Sequence, residues 1–137
     1  MVDAKKQISK QQGVAHELRT AHRLVQLGAT VAWPVGDNAP WDMICEWDGK
    51  VSRLQVKGTE SMQSETYYVV RLQRGGRNRT SYTKLHTDFV IACTPVGLYV
   101  IPVEEIDRQR LVVWAGVRKG NRPHFDRYRD AWEVLQG

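Results

Sequence analysis

The dipeptide Asp48-Gly49 is the feature that most constrains the fold of this chain. Asp and Gly tolerate the positive φ angles of a two-residue β-turn, so the segment Trp47-Asp-Gly-Lys50 predicts a tight hairpin. Closing the turn on these two residues places Trp47 opposite Lys50. Continuing the same register places Asp42 opposite Gln55.

Three polar side chains converge on one patch of this predicted hairpin. Opposed residues have Cβ atoms about 4.5–5.5 Å apart, and Lys57 returns to the face of Gln55 two residues later. Carboxylate and amide oxygens suit Mg²⁺ or Mn²⁺, and a nearby ammonium stabilises charge on a phosphate or orients a water. Asp42, Gln55 and Lys57 therefore indicate metal-assisted phosphodiester hydrolysis. The alternative is a solvated sheet face on which polar residues alternate.

A first helix is predicted over residues 9–27. Ser9 and Gln12 have the spacing of a capping box, and Gly28 supplies the C-terminal stop. Apolar residues at helical spacing predict its buried stripe: Val14, Leu18, Ala21 and Val25.

Glu17 lies beside this stripe rather than on the opposite polar face. A carboxylate at the edge of a buried surface is costly unless it is paired or bound to a metal. No cation on the same helix is spaced to pair with it. Glu17 is therefore either a metal ligand or the partner of a cation from the sheet, such as Arg53.

The order of these residues resembles that of the PD-(D/E)xK nuclease superfamily. A Glu on the first helix, an Asp opening the second strand and the triplet Gln55-Val-Lys57 carry the resemblance, which covers residues 9–103. It is nearest to archaeal-type Holliday junction resolvases and to intron-encoded homing endonucleases with Gln in the triplet. The resemblance implies that Glu17, Asp42, Gln55 and Lys57 are catalytic. It also implies a metal site of Glu17, Asp42, Gln55 and the backbone carbonyl of Val56.

Two positions depart from the superfamily pattern. Trp41 is inserted between the Pro and the Asp of the usual doublet, and Gln55 replaces the usual acidic residue. The second change removes a negative charge, so weaker metal binding is expected.

The predicted fold class is α/β (an α+β mixed sheet) with a restriction-endonuclease-like core. A helix is followed by a three-stranded meander, further strands and a C-terminal helix. The predicted strands are 29–35, 41–47, 51–57, 66–73, 88–93 and 98–103, and the later helices are 104–110 and 123–135. With no internal repeat or linker, residues 1–137 are predicted to form a single nuclease domain.

Basic residues predict an anionic partner, namely DNA. The chain carries 20 Lys and Arg against 15 acidic residues, a net charge of +5. Four arginines between Arg71 and Arg79 flank a flexible Gly pair, where main chain and guanidinium groups suit phosphates; the alternative is a solvated hairpin loop. The predicted DNA contacts are Lys10, Arg74, Arg77, Arg79 and Tyr82.

These features together predict an Mg²⁺-dependent endodeoxyribonuclease, with Mn²⁺ as a possible substitute. Little chain lies beyond the nuclease core to read a long sequence, which favours a structure-selective Holliday junction resolvase of DNA recombination. The two-fold character of a four-way junction fits a homodimer or a higher homo-oligomer. The alternatives are a homing-type duplex DNA endonuclease and a non-catalytic nucleic-acid-binding module.

The sequence predicts a cytosolic protein, or one of the host cytosol if the source is viral. It has no apolar stretch long enough to span a membrane and no signal peptide. Cys45 and Cys93 lie in apolar strand patterns typical of free, buried thiols, and the four histidines lack the spacing of a zinc site.

Overall fold

The computed structural model describes residues 3–62, 66–75, 78–114 and 126–137. Its elements, in chain order, are α1 (Ala4–Leu27), β1 (Thr30–Ala32), β2 (Met43–Trp47), β3 (Lys50–Gly58), β4 (Tyr67–Arg71), β5 (Gln73–Arg74), β6 (Thr80–Ser81), β7 (Phe89–Thr94), β8 (Gly97–Pro102) and β9 (Arg110–Trp114). Single 3₁₀ turns lie at Val103–Glu105, Asp126–Tyr128 and Trp132–Leu135. Within these ranges, no helix combines the length and apolar character needed to cross a membrane.

The main sheet has the strand order β1-β2-β3-β7-β8. Neighbouring strands are antiparallel except β3 and β7, which run parallel. Two smaller pairs, β4 with β9 and β5 with β6, are also antiparallel. A mixed sheet with α1 packed on it confirms the predicted fold class.

The predicted hairpin register is confirmed. Asp48 and Gly49 have φ angles of 51° and 85°, as a two-residue turn between antiparallel strands requires. Trp47 pairs with Lys50, and the last pair of the ladder is Met43 with Leu54. β2 is therefore shorter than predicted.

Helix α1 begins earlier than the sequence predicted. Asp3 is its N-cap and accepts a hydrogen bond from the backbone N–H of Lys5 at 3.1 Å, so the capping box of Ser9 and Gln12 is wrong. Gly28, with a φ angle of 103°, ends the helix as predicted.

The predicted buried stripe of α1 is wrong at three of its four positions, and Ala21 alone packs against the core. Val14, Leu18 and Val25 are 53%, 57% and 61% exposed, and the fully buried residues are instead His16, Thr20 and Leu24. The sheet determines this rotation, because it offers Gly58 and Cys93 to the helix. A Cβ atom on residue 58 would lie 2.5 Å from Cδ2 of His16, and the Thr20 hydroxyl lies 3.5 Å from Sγ of Cys93.

Two hydrophobic cores lie on opposite faces of the main sheet, since alternate residues of β7 enter one or the other. The first core lies under α1 and contains residues such as Leu24, Met43, Leu54, Ile91 and Trp132. The second core lies under β4 and β9 and contains residues such as Leu72, Tyr82, Val90, Tyr99 and Leu111. Cys45 and Cys93 are free and buried, as predicted.

Several predicted boundaries are wrong. In place of the predicted helix of 104–110, one 3₁₀ turn is followed by β9. The predicted strand of 29–35 is shortened to β1, and that of 66–73 is divided into β4 and β5. In place of the terminal helix, residues 126–137 form two 3₁₀ turns, separated by Asp130 with a φ angle of 52°. Residues 123–125 lie outside the described ranges. This last segment still places Trp132 and Leu135 in the first core, although it does not form a regular helix.

Candidate active site

A cleft of about 370 Å³ opens where β3 continues beyond its last pair with β2. The residues that line it are Lys10, Gly13, Val14, Glu17, Asp42, Gln55 and Val56. The structure thus brings together three of the four predicted catalytic residues, from α1, from the loop before β2 and from β3. An adjoining cleft of about 270 Å³ also contains Glu17 and Asp42, and its walls include Trp33 and Trp41.

Asp42 is anchored by the backbone of β3 at two points. Its own N–H donates to the carbonyl oxygen of Leu54 at 2.8 Å, and its Oδ2 accepts a hydrogen bond from the N–H of Val56 at 2.7 Å. These bonds hold the carboxylate at the edge of β3 although Asp42 itself precedes the strand. The inserted Trp41 therefore leaves the acidic residue in place.

The carboxyl groups of Glu17 and Asp42 are neighbours in both clefts. Burial, and then the charge of Asp42, raise the pKa of Glu17 to about 7. Burial also raises the pKa of Asp42, against the opposing hydrogen bond from Val56. Neighbouring carboxylates disfavour each other's ionisation, so a proton or a cation between them stabilises the pair.

Arg53, the alternative partner proposed for Glu17, pairs elsewhere. Its guanidinium and its backbone N–H both bind the carboxylate of Asp88, with the backbone bond at 2.8 Å and the ion pair at 3.1 Å. Glu17 is therefore left with a like charge as its neighbour.

The donor set of this cleft fits a divalent cation. Two neighbouring carboxylates and the amide oxygen of Gln55 are hard oxygen ligands, and a cation between the acids would stabilise the pair. Among the described residues, no three His, Cys, Asp or Glu side chains form a metal cluster. A neutral ligand such as Gln55 is thus needed to complete a site here.

Lys57 lies two residues beyond Gln55 and therefore on the same face of β3 as Gln55, opposite to the face of Val56. Its Nζ lies 5.5 Å from the ring centroid of Tyr82. Burial lowers the pKa of Lys57, and the charge of Asp42 acts in the opposite direction. Asp42 is therefore close enough to influence both Glu17 and Lys57, although Lys57 does not line the cleft itself.

The predicted DNA-contacting residues fall in different places. Lys10 is exposed at the rim of the cleft, and Arg79 is exposed beside β6. Arg74 lies on β5, with its Nη1 at 2.8 Å from Nε2 of His86. Tyr82 is only 7% exposed and belongs to the second core. Arg77 lies outside the described residues.

Sequence reasoning missed His16 and His86. Gly58, directly after the triplet, could have predicted the close approach of another part of the chain. In the structure, the ring of His16 on α1 packs against it. No local signal marked His86, because its contacts with Arg74 and Tyr82 come from folding of the loop after β6.

Comparison with known proteins places this geometry in context. The chain matches the PD-(D/E)XK endonuclease family over residues 7–135. Protein 5.3 of Escherichia phage T7 is 26% identical over 94 residues, which cover 69% of this chain and 80% of the phage protein. The bacterial homing endonuclease I-Ssp6803I superposes with a TM-score of 0.80 and 25% identity, over 92% of this chain and 91% of that one. The fold is thus restriction-endonuclease-like, and the chain belongs to the PD-(D/E)XK endonuclease family.

Proposed function

We propose that this protein is a divalent-metal-dependent DNA endonuclease whose active site contains Glu17, Asp42, Gln55 and Lys57. The neighbouring carboxylates of Glu17 and Asp42 carry the proposal, because both line one cleft and no described cation is in ion-pair contact with either. Membership of a nuclease family supplies the reaction class. The basic rim residue Lys10 supports an anionic substrate above the cleft.

Glu17, Asp42, Gln55 and the backbone carbonyl of Val56 would hold Mg²⁺, with Mn²⁺ as a substitute. When bound, such an ion polarises the scissile phosphate and lowers the pKa of a water molecule. The hydrogen bond from Val56 orients the Asp42 carboxylate. The ammonium of Lys57 stabilises charge that develops on the phosphate oxygens, or orients the attacking water.

A site in duplex DNA is the substrate that the comparisons favour. The similarity to a homing endonuclease extends over nearly the whole chain. A four-way junction is the second candidate, because the order of the acidic, amide and basic site residues also resembles that of archaeal-type Holliday junction resolvases. Both substrates present two strands to cut, which a homodimer or higher homo-oligomer would serve.

A cleavage assay tests the proposal. Linear duplexes and a four-way junction are incubated with the protein in Mg²⁺, in Mn²⁺ and in EDTA. We expect cutting with either metal, none in EDTA, and none by Asp42→Ala. Glu133→Ala, which removes an exposed acid of the last 3₁₀ turn, is the matched control and should cut normally. Cleavage by Asp42→Ala at the wild-type rate would refute the assignment to this site.

Two further measurements complete the test. Asp42→Ala should bind DNA at least as tightly as the wild type, because it loses a negative charge near phosphates. Mn²⁺ binding, followed by electron paramagnetic resonance, should be present in the wild type and lost in Asp42→Ala. If the wild type binds DNA but neither cleaves it nor binds Mn²⁺, the protein is instead a non-catalytic module.

A further inference from the structure

Two cations on the same face of β3 are held in different ways. The guanidinium of Arg53 bonds to both carboxylate oxygens of Asp88, at 3.1 Å each. Among the described residues, no carboxylate lies within ion-pair distance of the Lys57 ammonium. Its contact is instead the ring of Tyr82, 5.5 Å from Nζ. The position of the ammonium therefore depends on an aromatic face.

The ring of Tyr82 is itself well fixed. It is buried in the second core directly after β6. The imidazole of His86 contacts it edge to face, with 6.2 Å between ring centroids and an angle of 82°. A buried ring held on its edge cannot follow a mobile ammonium, so it determines where the ammonium lies.

His86 connects this ring to the basic hairpin of β5 and β6. Its Nδ1 accepts a hydrogen bond from the backbone N–H of Thr83 at 3.0 Å, and its Nε2 lies 2.8 Å from Nη1 of Arg74. A line of contacts thus runs from Arg74 through His86 and Tyr82 to Lys57. Support for the ammonium comes from the element predicted to contact DNA.

Without such support, the Lys57 ammonium would be drawn toward the acids of the cleft. Asp42 already exerts an attractive effect on it. An ion pair with Asp42 or Glu17 would neutralise the carboxylates that a metal requires and withdraw the cation from the phosphate. A neutral aromatic face attracts the ammonium while leaving its charge available.

We infer that Tyr82 is a positioning residue that holds the Lys57 ammonium apart from the Glu17–Asp42 pair and directed at the substrate phosphate. The inference rests on the proposed endonuclease function. It assigns the role to the face of the ring and not to the hydroxyl group. It also separates Tyr82 from residues that contact DNA directly.

Substitution of Tyr82 separates positioning from binding. Tyr82→Phe keeps the ring and should cut within about twofold of the wild-type kcat, whereas Tyr82→Leu should lose about tenfold in kcat with KM nearly unchanged. Tyr99→Leu is the matched control, because it removes a tyrosine of the same core that is 2% exposed. After correction for the folded fraction by circular dichroism, Tyr99→Leu should keep the wild-type kcat.

A double-mutant cycle tests the route through Lys57. In a Lys57→Ala background, Tyr82→Leu should change the single-turnover rate by less than twofold. An equal loss in both backgrounds, or a tenfold loss in Tyr82→Phe, would overturn the inference. Wild-type rates in both Asp42→Ala and Lys57→Ala would instead overturn the proposed function itself.

An NMR measurement on the wild type does not depend on the folding of any variant. With ¹³C-labelled lysine, the Cε methylene of Lys57 should resonate upfield of the other lysines, because it lies near the face of an aromatic ring. The shift should persist in Tyr82→Phe. An unshifted Lys57 resonance in the wild type would overturn the inference.

Discussion

The two sides of the candidate active site, one inside the cleft and one beside it, are built in opposite ways. The acidic side, Glu17 and Asp42, places like charges next to each other. The cationic side, Lys57 and Tyr82, rests an ammonium on a neutral ring. On the proposed function, a metal ion would relieve the first arrangement and a phosphate the second. The difference teaches that opposite charges can lie close together in one site without forming an ion pair.

The two sides also depend on different parts of the fold. Glu17 reaches the cleft through α1, whose distance from β3 is limited by the contact between His16 and Gly58. Lys57 is placed by β3 and by the residue after β6, on the second core. Each side should therefore be open to separate perturbation.

Loss of the cation should have the largest effect. Lys57→Ala is expected to lower the single-turnover cleavage rate by about 10²–10³-fold, because the charge developing on the phosphate loses its stabilising cation. DNA affinity should change little, since many basic residues contribute through counterion release. Rate and salt-dependent binding are measured on the same duplex.

Arg53→Ala is the control for this change. It removes a cation from the same face of β3, but one already neutralised by Asp88. It should cut at close to the wild-type rate per folded molecule. A loss equal to that of Lys57→Ala would show that the two cations are not functionally distinct.

Moving the acidic side should have the next largest effect. Gly58→Ala places a Cβ atom 2.5 Å from His16 and should cost about 1–3 kcal/mol in the free energy of unfolding. Because the buried ring of His16 on α1 must move away from the new Cβ atom, the position of Glu17 should change and cleavage per folded molecule should also fall. Gly13 lies on α1, where an added Cβ atom would meet nothing within 4 Å. Gly13→Ala should therefore raise the free energy of unfolding by about 0.5–1 kcal/mol. Urea titrations compare the two, and equal stabilities would contradict the role of this contact.

Breaking the ion pair between Arg53 and Asp88 should lower the stability of the fold and leave cleavage unchanged. Burial alone would raise the pKa of Asp88, but the hydrogen bonds and charge of Arg53, together with Lys84, lower it. The folded pKa thus lies below the unfolded value of about 3.9, so the ionised pair stabilises the fold above that pH. This stabilisation is lost as the pH falls through the folded pKa.

Asp88→Asn should accordingly cost about 1–2 kcal/mol at neutral pH. The difference from the wild type should shrink as the pH falls below about 4. Chemical denaturation across this range measures it. A difference that stayed constant down to pH 2 would mean that packing, and not charge, is responsible.

Gln55→Glu should have the smallest effect on the cleavage rate, and it tests how the charge of the acidic side determines metal affinity. It adds a negative charge to the donor set, so we expect retained cleavage and a few-fold lower Mg²⁺ concentration at half-maximal rate. Repulsion with Asp42 opposes this gain when no metal is bound. Metal titrations of the cleavage rate compare it with Gln26→Glu, an exposed change on α1. Complete loss in a folded protein would show that the amide donates an essential hydrogen bond.

Local chemistry made the hairpin predictable. A two-residue turn determines its own register, so the pairing of Met43 with Leu54 followed from Asp48 and Gly49 alone. The positions of Asp42 and Gln55 in one cleft depend on that register. The order of the acidic, amide and basic residues along the sequence is by itself sufficient to indicate the family.

Non-local contacts account for most of the rest. The apolar spacing of Val14, Leu18 and Val25 is real, but the sheet accommodates His16 and Thr20 instead. Strand β9 was missed because four other strands, β5 to β8, separate it in sequence from its partner β4, so no turn joins the two. The support of Lys57 by Tyr82 depends on the same distant pairing, through the second core.

The hairpin of β2 and β3 also has a consequence for the order of assembly. A two-residue turn closes within about 1–10 μs, so Asp42 can meet the edge of β3 early in folding. The second core, which contains Tyr82, is complete only when β9 has paired with β4. Such long-range pairing is slow. During synthesis, Asp42 and Gln55 would thus meet well before the surroundings of Lys57 are complete. If the proposed function holds, cleavage would have to wait for the pairing of β9 with β4.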